Sequence, residues 1–134
     1  MRTLTSLTAA CFAMAWLGAV PASAEQSYSG SADYQVFCSS CHGPTAKGDG
    51  VIAKSLPKHP ADLTQLSARN KGVFPEARVS KTIDGREPLS AHGNSDMPAW
   101  GDVLAKSQES QGSEAAKARI AALVEYLQSL QEKR

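Results

Sequence analysis

Cysteine is scarce in this chain, with three among 134 residues, at positions 11, 38 and 41. A structural zinc site takes four nitrogen or sulfur ligands, usually delivered as two separated pairs. No second pair exists here, and beyond the segment around Cys38 and Cys41 only His59 and His92 remain, which argues against such a site. Aromatic side chains make up only 6%, and neither sign of charge dominates, with 14 Lys and Arg against 13 Asp and Glu. A strongly basic stripe with interleaved aromatics is missing, so nothing supports nucleic acid binding. There is no internal repeat and no convincing strand, and the expected fold class is therefore all-α. At 134 residues the chain has no room for a second sizeable core. Its 42% apolar and 20% charged residues are those of an ordinary globular protein.

The N-terminus stands apart from that domain. Arg2 is the only charged residue before Glu25; between them run the Leu/Ala-rich stretch Leu4 to Val20 and then Pro21-Ala22-Ser23-Ala24. A basic start, a short apolar core and a small-residue end are the signature of a secretory signal peptide. The expected organisation is a signal over 1–24, cleaved after Ala24, and one domain over 25–134. An uncleaved membrane anchor is the alternative, since the uncharged run is long enough to span. Cys11 lies within the apolar stretch and leaves with the signal, so the exported chain keeps Cys38 and Cys41 alone.

Those two cysteines sit in Cys38-Ser39-Ser40-Cys41-His42. This spacing, followed at once by histidine, is the attachment pattern for a c-type haem. On one helical turn the two thiols lie on roughly the same face, where each can form a thioether, and the next residue swings its imidazole toward the iron. Cys38 and Cys41 are the expected covalent tethers and His42 the proximal ligand. A bound macrocycle would supply the apolar interior that so few aromatic residues cannot. A thioredoxin-like dithiol needs a strand leading into the motif and a βαβ surround, which are not present. A disulfide between the two would close only a four-residue loop.

Hydrophobic spacing places this motif on a helix from about Gly30 to Cys41, with Ala32, Tyr34, Phe37 and Cys41 on one face and Asp33 in the first turn. Gly43-Pro44 stops it. Glu25 to Ser29 reads as a frayed tail, Lys47-Gly48-Asp49-Gly50 as a turn, and Leu56 to Pro60 as an extended segment pinned by its prolines. A short helix capped by Asp62 reaches Arg69, and another runs from Pro75 through Val79 and Ile83 to Asp84-Gly85. Glu87 to Asp96 reads as loop, Asp102 to Lys106 as a short helical piece, and Ser107 to Gly112 as a polar linker. Ser113 is the expected cap of a last helix to Gln131, striped by Ala116, Ile120, Leu123, Leu127 and Leu130.

The sixth position of a haem iron decides its use: a methionine thioether raises the potential and closes the iron, whereas an empty site invites oxygen or peroxide chemistry. Met97 is the only methionine outside the signal, and Pro98 after it holds the chain extended, as a ligand-presenting loop requires. Bis-histidine ligation through His92, or less readily His59, is the competing arrangement.

In these features the chain resembles the class I c-type cytochromes, over nearly all of the exported part. The attachment motif is early, the methionine far downstream, and Gly30, Tyr34 and Cys38 match the family's helix contact, completed by Leu123 and Tyr126. Met97-Pro98-Ala99-Trp100-Gly101 looks like the distal loop of bacterial, periplasmic members. The resemblance implies a cytochrome c fold whose N- and C-terminal helices cross, with short helices and loops wrapped around one covalent haem c. It also implies a proline whose carbonyl orients the proximal histidine, for which Pro57 is favoured over Pro60. Arg69, Arg78, Arg86 and Trp100 are candidates to bind the haem propionates. The implied function is a periplasmic electron carrier rather than an enzyme, exchanging single electrons with donor and acceptor proteins through transient contacts. The alternatives are a haem subunit of a larger dehydrogenase or oxidase, and a peroxidase-like or gas-binding protein with an open iron. Charge offers a steering surface, since Lys47 to Arg86 holds eight basic residues against four acidic ones.

Overall fold

A crossing of two helices sets the architecture of the computed structural model, which describes residues 27–86, 97–107 and 112–132. Helix α1 (Gly30–Phe37) begins at Ser29, whose hydroxyl accepts from the Ala32 amide at 3.2 Å. Ser29 is thus a cap and not part of a frayed tail. At Cys38 the helix breaks, and α2 (Ser39–His42) carries the rest of the motif. The single helix expected over 30–41 is therefore two pieces. Serine at 39 favours the break, because its hydroxyl turns back to the Gln35 carbonyl at 2.6 Å.

Single 3-10 turns at Ala53–Ser55 and Leu63–Gln65 follow, then α3 (Leu66–Arg69), α4 (Glu76–Asp84), α5 (Trp100–Lys106) and α6 (Ser113–Ser129). No strand occurs among the described residues, as the all-α expectation required. Asp62 caps its turn as expected, accepting from the Thr64 amide at 2.9 Å. Ser113 does not act as a cap: Gly112 holds that position, and Ser113 is the first helical residue. Helix α5 starts two residues earlier than expected, at Trp100. The proposed signal over 1–24, the loop at 87–96 with His92, and residues 108–111 of the linker lie outside the described residues. None of the described helices is long and apolar enough to cross a membrane.

Helix α6 is the central element, packing against α1, α4 and α5. Its stripe enters the core as the periodicity foretold: Ala116, Ile120, Leu123 and Leu127 are buried with Val124, against Tyr34, Val79, Ile83 and Leu104. Close approach to α1 depends on Gly30. A Cβ there would lie 2.0 Å from the carbonyl oxygen of Ala122 and 2.5 Å from its carbon. Tyr34, one turn on, is fully buried and stacks obliquely on Tyr126 with ring centroids 5.4 Å apart. Such a pair adds about 1 kcal/mol beyond the area it buries.

Since backbone atoms on the far side of the crossing cannot step aside, Gly30→Ala is expected to destabilise the protein by ~3 kcal/mol, the upper range for overpacking. Chemical denaturation followed by circular dichroism checks this. A loss under about 0.5 kcal/mol, the size of an ordinary surface change, would show that the crossing is loose.

Candidate functional site

The site is built outward from α2. Four residues cannot satisfy their own C-terminal carbonyls, and the loop that follows supplies the missing donors. The Gly48 amide donates to the His42 carbonyl at 2.8 Å, the Gly50 amide to Cys41 at 3.1 Å, and the Ile52 amide to Ser40 at 3.1 Å. A side chain at Gly50 would strike the Ser40 and Cys41 backbone within 2.6 Å. The glycine turn at 47–50 is therefore the cap of the motif. From the other side, the buried Tyr34 hydroxyl donates to the Gly43 carbonyl at 2.7 Å. Burial, reinforced by the nearby Cys38, Tyr126 and Asp49, holds that hydroxyl well above the ordinary phenol range, so it remains a donor.

Cys38 and Cys41 are half-buried free thiols on one turn, with the Cys41 amide donating to the Cys38 carbonyl at 3.2 Å. Burial first, then the charges of Asp33 and Cys41, pushes the Cys38 thiol up to about 11. That is the reverse of the depressed thiol of a dithiol oxidoreductase.

His42 is oriented by one hydrogen bond, between Nδ1 and the Ala61 carbonyl oxygen at 2.9 Å. A carbonyl can only accept, so Nδ1 carries the proton and Nε2 keeps its lone pair for a metal. This corrects the assignment of Pro57, which is exposed. The bond goes to Ala61, while the Pro60 carbonyl is taken by Nδ1 of His59 at 2.9 Å. Two consecutive carbonyls in one extended turn thus serve two different histidines.

The Ala61 carbonyl is held in place from both sides. Asp62 accepts from the Thr64 hydroxyl at 2.6 Å and the Leu63 amide donates to Ala46 at 2.7 Å. The amide of Gln131, beyond α6, donates to the Leu63 carbonyl and accepts from the Ser67 amide, each at 2.8 Å. Partial burial raises the Asp62 carboxyl, but the Thr64 hydroxyl and amide, with Arg69 and Lys47, outweigh it and hold the group below the ordinary carboxylate range.

Met97 and Trp100 are half-buried and pack on the same apolar cluster as Phe37, Cys38, Leu63, Leu66 and Phe74. Trp100 stacks obliquely on Phe37, with centroids 5.5 Å apart. Met97 therefore lies at the edge of the cluster that Cys38 borders. Of the candidate arginines, Arg69 donates to the Asp62 carbonyl at 3.2 Å. Arg86 forms a two-point contact with Asp84, at 2.5 and 3.1 Å. Arg78 is exposed on α4.

Two features escaped the sequence reading. One is the Ala61 carbonyl, since any residue could supply it. The other is Arg119, a cation in phase with the apolar stripe of α6, only 2% exposed and paired with Asp33 of α1. The signal was there: position 119 falls on the buried face of α6 and Asp33 on that of α1.

The donor set fits a covalent haem, since paired thiols lie on one turn beside an imidazole whose outer nitrogen is free and an apolar wall that includes a thioether. The model of the cytochrome c family matches residues 28–131. The chain belongs to that family and is a haem-binding electron-transfer protein holding haem c covalently. Neither a curated protein nor a solved structure matches it significantly.

The depressed Asp62 carboxyl sets the sign of a pH effect. Its contribution is complete above the ordinary value near 3.9 and is lost as pH falls through the lower folded-state value. Asp62→Ala is expected to cost about 1 kcal/mol at neutral pH, the typical worth of such a cap. The gap from the parent should begin to close as pH drops below about 4, the ordinary carboxylate value, and be gone once pH has fallen through the lower folded-state value. Denaturation series at several pH values measure it, and a gap that persists unchanged into strong acid contradicts the assignment.

Proposed function

We propose that this protein is an exported, single-haem electron carrier with histidine and methionine on the iron. The observation that carries the reading is the His42 to Ala61 bond, which fixes the imidazole tautomer and leaves Nε2 free beside the paired cysteines. In this reading Cys38 and Cys41 hold the macrocycle by thioethers, His42 is the proximal ligand and Met97 the distal one. The haem, once bound, supplies the one-electron couple of its iron.

The remaining work belongs to the chain. Donation from Nδ1 to a carbonyl makes the imidazole a stronger ligand. The oblique packing of Trp100 on Phe37 orders the start of α5, just after Met97, and Leu63, Leu66 and Phe74, on the same apolar cluster, would shield a bound haem from water. A closed iron does not take a substrate, so the activity is exchange of one electron with a donor protein and then an acceptor protein. Such partners meet through small, short-lived interfaces. Export follows from the apolar, signal-like segment at 1–24, and the expected place of work is the periplasm.

Three measurements test this. The oxidised holoprotein should show the weak long-wavelength absorption of a methionine sulfur on ferric haem. Met97→Ala should lose that band and shift the midpoint potential downward, since methionine ligation raises it. A wild-type spectrum without the band removes Met97 from the iron. N-terminal sequencing of protein recovered from the periplasm should begin at Glu25, and a retained Met1 would favour an anchor.

A further inference from the structure

Arg119 is the most buried cation described, and its surroundings are specific. Its Nε donates to Asp33 Oδ2 at 2.8 Å and a terminal nitrogen to Asp33 Oδ1 at 2.5 Å. The other terminal nitrogen donates to the Ser107 hydroxyl, just past α5. The guanidinium carbon lies 5.4 Å from the ring centre of Phe37 and 5.8 Å from that of Tyr28. Phe37 in turn touches Trp100 and precedes Cys38.

Stability alone gives little reason for this pair. A buried ion pair is often replaceable by apolar residues without loss, because removing two charges from water costs about what their attraction returns. The crossing it spans is already specified by Gly30, Tyr34, Leu123 and Tyr126. The pair has another property, its position. Arg119 lies against the ring of Phe37, the residue before Cys38, and Asp33 sits in the helix that Cys38 ends, so the pair adjoins the attachment turn. Being buried, both charges are screened by salt far less than surface charges are.

We propose that the Asp33–Arg119 pair is an electrostatic control on the haem's reduction potential, a balanced set of charges held beside the Cys38 attachment whose two halves pull in opposite directions. The inference rests on the reading that Cys38 carries a thioether. Reduction adds one electron to the haem, so a nearby cation favours it and a nearby anion opposes it. In balance the two nearly cancel. Arginine cannot shed its charge in a protein, so removal of its partner leaves a full positive charge in place.

The test is potentiometric titration of the purified holoprotein and its variants, with the long-wavelength band recorded for each. Asp33→Asn is expected to raise the midpoint potential, and the shift should persist in high salt. The double variant Asp33→Asn with Arg119→Met should return toward the parent value. Arg119→Lys, which keeps the charge, should stay near it. Loosening of α1 would instead admit water, favour the ferric charge and lower the potential, so the upward sign separates control from packing. An unchanged or lowered potential in Asp33→Asn, or a double variant displaced like the single one, overturns the proposal. If Asp33→Asn yields no holoprotein, Arg119→Met carries the test with the opposite sign, measured at alkaline pH where an unpartnered buried carboxylate keeps its charge, and its reversal in the double variant must still occur. A missing band in the parent would instead sink methionine ligation alone, because the sign pattern depends on charge beside Cys38 and not on the sixth ligand.

Discussion

Everything else in this fold depends on how closely α1 can lie on α6. A single missing Cβ at Gly30 lets one backbone rest on the carbonyl of Ala122, and the consequences run along both helices. Tyr34 then reaches Tyr126 and the Gly43 carbonyl together, so the same side chain packs the crossing and anchors the turn after the motif. Asp33 meets Arg119 on the adjoining flank. A wider crossing would separate all of these partners at once.

The motif sits at the end of this arrangement on a helix too short to stand alone. Its carbonyls are met by amides of Gly48, Gly50 and Ile52, and its histidine is aimed by a carbonyl nineteen positions downstream. The aim has its own support, since Gln131 beyond the last helix braces the turn that carries Ala61. The orientation of the His42 ring is thus set by contacts from both ends of the domain.

How much of this could be read from the residues follows from the range of each interaction. Periodicity revealed the buried stripe of α6, the helix at 76–84 and the all-α class, because these are local patterns. The helix contact of Gly30, Tyr34, Leu123 and Tyr126 was legible through family resemblance. The break at Cys38 was not, since residues 30–41 carry one continuous helical pattern and a serine hydroxyl decides where it ends. Pro57 was favoured for the histidine's partner because the family resemblance implies a proline there, but a backbone carbonyl has no residue signature and Ala61 took the place. Arg119 was missed because its partner lies 86 positions away, and charge counting along a chain does not see pairs at that distance.

The order of these parts along the chain has a consequence for timing. The turn bearing the cysteines and the amides that cap it all lie within residues 38–52, so that turn can form from neighbouring contacts alone. Helix α1, which leads into that turn, packs instead on α6, toward the far end of the chain. Long-range contacts are slow to form in any case. The layout therefore assigns the cysteine turn to local contacts and the crossing of α1 on α6 to long-range ones, so the two are expected to form in that order.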